Sequence, residues 1–226
     1  MLFRSLTNSA TATNYGLRIT SLTNSFAWDR EASDLIDVRV YGVKGDGSDQ
    51  LTRLTNLFAT VPRGATVMFP KTASLFRVSI PNAMNTGINL TNELTIIGEP
   101  GSALRMEIVS PSFATALFNV NTSNLNVRGL NLLGPTTLSN QEYRCFEINP
   151  TNAQTCKVVI EDVMSSGFDT FIKTEPVAVM GAIETVMNRC VITCGTANPN
   201  IYTGRGNPMV YIQGSNTFRA DRKSVV

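Results

Sequence analysis

The chain contains no histidine, and this one absence removes several kinds of chemistry at once. A Ser-His-Asp or Cys-His nucleophilic system cannot be assembled from these residues, nor can a zinc site that uses imidazole. Charge is scarce as well: 16% of residues are charged, and 19 Lys and Arg stand against 17 Asp and Glu. A formal net charge of +2 leaves no electrostatic footprint for nucleic acid, so no nucleic-acid partner is expected. No apolar run is long enough to span a membrane, and no basic segment leads into the short apolar stretch of a secretory signal. Cysteine is limited to Cys145, Cys156, Cys190 and Cys194, at spacings unlike any paired Cys-x-x-Cys metal motif. Buried free thiols are the expectation, although Cys190 and Cys194 could meet across a turn.

What is present is strand-forming. Hydrophobic residues make up 42% of the chain, and Asn, Thr, Ser and Gly are abundant, a composition suited to tight turns between short strands. Residues Asp37 to Val43 alternate as a strand, and Gly45-Asp46-Gly47 supplies the flexible punctuation that ends it. Ser48 or Asp49 can then cap a helix, in which Leu51, Leu54, Leu57, Phe58 and Val61 recur along one face. No other stretch reads as an amphipathic helix.

Downstream the sequence repeats loosely in two alternating parts. The first comprises Leu94-Thr-Ile-Ile-Gly98, Leu125-Asn-Val-Arg-Gly129, Val158-Val-Ile-Glu-Asp162 and Thr185-Val-Met-Asn-Arg189. Taking Ile97, Val127, Ile160 and Met187 as equivalent gives steps of 30, 33 and 27 residues. The second comprises Leu117-Phe-Asn-Val120, Cys145-Phe-Glu-Ile148, Asp169-Thr-Phe-Ile172 and Met209-Val-Tyr-Ile212, interleaved with the first in strict order. About four coils are therefore predicted, each with at least two strands, after a poorer opening coil from Thr66-Val-Met-Phe69 and Phe76-Arg-Val-Ser-Ile80. Each coil buries its apolar side only against its neighbours, so the open end of such a stack needs a cover, and the single helix is the expected plug.

The segment from Asp37 through Asp49, with the helix after it and Ala65-Thr-Val-Met-Phe-Pro70, resembles the start of a right-handed parallel β-helix of the pectate-lyase superfamily. That family includes pectin-degrading enzymes and many phage tailspikes. Its members usually read Asp-Gly-x-x-Asp-Asp-Thr here, whereas this chain has Asp46-Gly-Ser-Asp-Gln-Leu-Thr52, with Gln50 in place of the second acid. The resemblance extends over about residues 35–215 and implies an all-β, single-stranded parallel β-helix with a short N-terminal capping helix. Asn-Thr-Asp, Asp-Asp and Gly-His-Gly motifs of polygalacturonase-like relatives are absent. One fold hosts lyases, hydrolases and non-catalytic adhesins, so it assigns no chemistry by itself.

Carboxylates are the remaining route to catalysis, since glycosidases pair an acid with a base or nucleophile. Alternation turns Glu147 and Glu161 outward, and Asp162 and Asp169 lie close to them in sequence. These four are the catalytic candidates. No cofactor is evident; the resemblance alone implies calcium, which lyases of this fold hold with acidic residues. The same alternation places Asn119, Glu147, Phe171 and Tyr211 in one outer column, a candidate platform for a sugar ring. The excursion from Gly195 to Gly206 is long enough to wall or cover it.

Three functional readings follow. The first is a polysaccharide-binding or polysaccharide-depolymerising protein of the tailspike or receptor-binding kind, placed on a virion tail or outside the cell. The second is a secreted pectate-lyase-like or glycoside-hydrolase-like enzyme, and the third a non-catalytic structural or adhesive β-helix, with a homotrimer interface over Phe171 and Tyr211. The expected partner is a polysaccharide or cell-surface glycan. Residues 1–34, with the echo of Met1–Asn8 in Leu17–Asn24, are read as a leader or attachment segment, and residues 35–220 as the N-terminal part of the β-helix. Asp221-Arg-Lys-Ser-Val-Val226 is what one frame of a common sequencing adapter encodes, so further coils are expected beyond Ala220.

Overall fold

A computed structural model of the chain describes residues 3–7, 18–20, 26–30, 35–81, 87–108, 115–136, 143–149, 155–174, 182–194, 210–212 and 217–221. From Leu35 onward these form a parallel β-helix with three strands per coil, as the all-β reading predicts. The first sheet has seven strands: Leu35–Asp37, Thr66–Phe69, Leu94–Gly98, Asn124–Arg128, Cys156–Glu161, Ile183–Asn188 and Thr217–Ala220. The second stacks Phe76–Ile80, Ala103–Ile108, Asn131–Leu133, Met164–Phe168 and Val191–Cys194. The third stacks Ile88–Leu90, Thr115–Val120, Tyr143–Ile148, Thr170–Thr174 and Val210–Ile212. The two repeat parts of the sequence are the first and third sheets. Most of the second sheet was not visible there, because strands such as Met164-Ser-Ser-Gly-Phe168 carry little apolar alternation.

In the first sheet the register corrects one equivalence. Val127 pairs with Ile96, which is fully buried, and Arg128 pairs with Ile97, so the inward residue of that coil is Ile96. Downstream the predicted alignment holds: Val127 meets Ile160, and Ile160 meets Met187.

Between the first and second sheets three successive coils turn through one left-handed residue, Gly129 at φ 65°, then Asp162 and Arg189, both at φ 52°. Around each, buried side chains repeat two before and one after: Val127 and Leu130, Ile160 and Val163, Met187 and Cys190. The preceding coil turns differently, through Glu99-Pro-Gly101. Gly98 and Gly129 stack so closely that a Cβ on Gly129 would lie 2.9 Å from the Gly98 carbonyl oxygen.

Aromatic side chains run through the interior as a four-ring column. Phe118 and Phe146 stack at 5.5 Å, Phe58 meets Phe118 edge-on at 6.3 Å, and Phe171 meets Phe146 edge-on at 5.5 Å. Phe58 belongs to the helix α1 (Leu51–Thr60), whose Leu54, Leu57 and Phe58 are buried over the end of the core, with Val61 just beyond. The helix is therefore the plug that the sequence predicts. The helix is capped at Gln50, not at Ser48 or Asp49; the Asp49 carboxylate just ahead of the cap accepts from Leu51 N at 3.1 Å and from Ser79 N at 2.8 Å. Gln50 is fully buried; it accepts from Lys44 N and donates to Ser48, tying the turn together.

Upstream, Phe3–Thr7 and Arg18–Thr20 flank Phe26–Arg30 in an antiparallel sheet. At the other end, Asp221 N donates to Met187 O, and the Asp221 carboxylate accepts from Arg189 N at 3.1 Å. Residues 222–226, where the adapter reading mainly falls, lie outside the described residues.

Candidate functional site

Coils stack in register, so an outward side chain meets the equivalent side chain of the next coil about 4.8 Å away. The four acids proposed for catalysis all use that contact, or a local one, for structure. Glu161 sits between Arg128 Nε at 2.9 Å and Asn188 Nδ2 at 2.9 Å, its neighbours in register on either side. Asp162 is held bidentately by Arg189 at 2.6 Å, which keeps its carboxyl below the usual range. Asp169 accepts from Tyr143 N at 2.9 Å and closes the corner into the third sheet. Glu147 does face outward, but it is only 6% exposed and pairs with the equally covered Arg144 at 2.9 Å. It is not the solvated acid that alternation alone suggested.

Other described carboxylates are committed in the same way. Glu93 is held by Arg63 at 2.7 Å and by Ser123, which bring its pKa down to about 2. Glu99 accepts from Lys71 N, Glu107 from Thr136, and Glu184 pairs with Lys157. Asp37 holds Arg39, and Asp46 accepts from Ser48, whose hydroxyl lowers the carboxyl pKa. No group of three or more Cys, Asp or Glu side chains among the described residues converges as a metal site.

The predicted sugar platform is rearranged. Phe171 is fully buried with its ring against Phe146, so it is not an outer-face aromatic. In register Ile172, not Thr170, lies beside Phe146, and Lys173 takes the place beside Glu147; Phe171 precedes Ile172 as Cys145 precedes Phe146, and all four are buried. The column in register is Asn89, Asn119, Glu147, Lys173, Tyr211. Asn119 donates to Asn89 at 3.2 Å; Asn119 and Glu147 are 8% and 6% exposed and lie under cover, whereas Asn89 at the end of the column is exposed. The Tyr211 side chain and the Gly195–Gly206 excursion lie outside the described residues. So does the Cys194 side chain; Cys145, Cys156 and Cys190 are buried free thiols, and burial pushes the Cys156 pKa up to about 11.

An open concavity lies elsewhere, at the capped end. A groove of about 630 Å³ runs between the turn Val40, Tyr41 and Gly42 and the side of α1 carrying Thr52, Arg53 and Asn56, with Asp49 at its end. Its chemistry is mixed: Val40 and the small exposed part of Tyr41, which is 5% exposed, face hydroxyl, amide and guanidinium groups, a lining that offers both apolar contact and partners for sugar hydroxyls. Arg53 has one weak protein partner, Gln50 Oε1 at 3.4 Å. Helical periodicity carries a signal for these residues, since Thr52, Arg53 and Asn56 occupy the polar side of the one stretch that reads as an amphipathic helix, but amphipathicity says nothing about the facing turn.

No protein-family model matches the chain, and no curated protein matches it. Fold and geometry therefore carry the functional reading.

Proposed function

We propose that this chain is a polysaccharide-binding β-helix protein, of the kind used by tailspikes and other receptor-binding proteins, and that it engages glycan through the groove between Tyr41 and α1. The observation that carries this reading is the groove itself: an apolar wall of Val40 and Tyr41 opposite Thr52, Arg53 and Asn56, on an outer surface whose carboxylates are already engaged. That engagement favours binding over cleavage. A general acid must release its proton to a leaving group, and a carboxylate locked to an arginine of the next coil is poorly placed for it. The polysaccharide or cell-surface glycan is the partner, and the homotrimer and the virion-tail or extracellular setting belong to this proposal too.

The test is retention of the full chain on immobilised polysaccharides, compared with Asn56→Ala and Thr52→Ala, alongside an assay for new reducing ends and for unsaturated products. Retention weakened by both substitutions, with no cleavage, is the expected result. A folded protein that no polysaccharide retains would sink the reading, and cleavage would replace binding with catalysis.

A further inference from the structure

Where the outer face of the solenoid carries charge, the register usually sets a cation against an acid. Arg128 faces Glu161, and Lys157 faces Glu184. One column breaks this pattern. In the second sheet Arg77 lies directly beside Arg105 on the neighbouring strand, with Leu133 next in line. Both project outward, because Phe76, Val78, Leu104 and Met106 fill the inward positions. Like charges directly opposite each other in a sheet repel.

Among the described residues neither guanidinium has a carboxylate partner within salt-bridge distance. The nearest acids in register are spoken for: the Asp49 carboxylate accepts from Leu51 N and Ser79 N, and that of Glu107 accepts from Thr136. Two atoms beside the pair are buried without a hydrogen-bond partner, Arg105 Nε and Ser79 Oγ, the latter on the same face two residues from Arg77. Unmet buried donors cost stability, so both side chains would gain from an acceptor that the described residues do not supply.

Asp49 links this column to the groove: it lines the groove, and it is also the residue paired with Arg77. A path therefore leads from Arg53 in the groove past Asp49 to Arg77 and Arg105. We propose that Arg77, Arg105 and Ser79 form a binding site for an oxyanion, and that its source is a charged substituent on the same polysaccharide that occupies the groove. This rests on the polysaccharide reading above for the nature of the polymer. Two adjacent guanidinium forks suit a planar carboxylate or a tetrahedral sulfate ester, because either can accept paired N–H bonds while cancelling the repulsion.

The experiment uses the full chain, the double variant Arg77→Gln/Arg105→Gln, and Arg219→Gln as a control that removes an exposed arginine elsewhere. Binding to alginate, dextran sulfate and uncharged dextran is measured by titration calorimetry, and the melting temperature is followed with and without sodium sulfate. The expected result is that charged polymers bind, dextran binds more weakly, and the double variant loses about tenfold or more in affinity for them. Arg219→Gln should bind as the parent does. The double variant should also lose any sulfate-induced rise in melting temperature, and without sulfate it should melt no lower than the parent. Preference for alginate identifies a carboxylate, and preference for dextran sulfate a sulfate ester. If charged polymers bind the double variant as tightly as the parent, the arginine site falls while the polysaccharide reading stands. If sulfate stabilises only the parent and no polymer binds, the arginine site stands and the polysaccharide reading falls.

Discussion

The first and second sheets belong to the same coils, yet they treat their outer surfaces in opposite ways. Along the first sheet and its corners, cations alternate with acids from coil to coil, as in Arg63 with Glu93, Arg128 with Glu161 and Asp162 with Arg189. On the second, Arg77 stands beside Arg105, and exposed Met164 beside exposed Val191. In a stack whose register is fixed by the buried side chains, neighbours cannot be avoided, only chosen. The first sheet's choices strengthen the stack. Those of the second do not, and that is where a surface kept for something other than stability is expected.

The largest test breaks what the two sheets share. Phe146 stands between Phe118 and Phe171 in the interior column, so Phe146→Ala leaves a gap that neighbouring coils cannot both fill. A loss of about 3–5 kcal/mol is expected in chemical denaturation. Phe118→Ala should cost a similar amount and also loosen α1, because Phe58 rests on it. If either costs under about 1 kcal/mol, against the 3–5 typical of a buried phenylalanine, the column is not continuous.

Next in size is a backbone test of the second sheet's edge. Gly134 approaches Gly167 so closely that a Cβ would lie 2.0 Å from the Gly167 carbonyl oxygen. Backbone cannot yield as a side chain can, so Gly134→Ala should destabilise by about 1–3 kcal/mol or more. At the first sheet's corner the outcome should differ in sign or size. Arg189 holds φ 52°, and Arg189→Gly relieves that conformation while losing an exposed ion pair with Asp162. The left-handed conformation costs roughly 1–2 kcal/mol and exposed pairs contribute about 0–1, so the variant should match or slightly exceed the parent in stability.

How much of this was legible beforehand follows from what a sequence records. Helix α1 and its buried face could be read because Leu54, Leu57, Phe58 and Val61 repeat at one period within a short stretch. The first and third sheets could be read because strands such as Leu125–Val127 and Val158–Ile160 alternate and recur. Beyond Phe76–Ile80 the second sheet could not, since its register is set by corners, and a corner is one residue long at Asp162 but several at Glu99-Pro-Gly101. Alternation sets Phe171 on the surface, but in register it lies level with Leu117 and Cys145, where each strand of the third sheet buries two consecutive side chains. The groove joins residues from the turn at Tyr41 and from α1, and nothing in spacing along the chain shows that they face each other.

Acid should separate the two sheets. Arg63 and Ser123 bring Glu93 to about 2, from an ordinary 4.5, and Arg189 lowers Asp162. Each carboxyl is depressed in the folded state, so its stabilisation is full above the unfolded value and is lost as pH falls through the folded one. Melting temperature should therefore hold from neutral pH down to about 5 and decline between about 4.5 and 2. Glu93→Gln should flatten part of that decline. Variants at Arg77 and Arg105 should leave its shape unchanged, because among the described residues no carboxylate lies within salt-bridge distance of either.

The smallest effect is the most direct comparison, a reciprocal exchange of charge pattern. Arg105→Glu places an acid beside Arg77 and gives the second sheet the pairing that the first already has, whereas Glu161→Arg places two arginines side by side and gives the first sheet the second's arrangement. Cross-strand pairs of this kind are worth about 0.2–1 kcal/mol, so the first change should raise stability and the second lower it by amounts in that range. Salt should shrink both differences, since exposed charges are screened. Equal and opposite shifts would mean that the two sheets obey one rule and that the second forgoes its benefit. A loss of stability from Arg105→Glu would mean instead that Arg105 already contributes through its stem packing, and the stacked guanidiniums would then no longer mark a surface held at a cost.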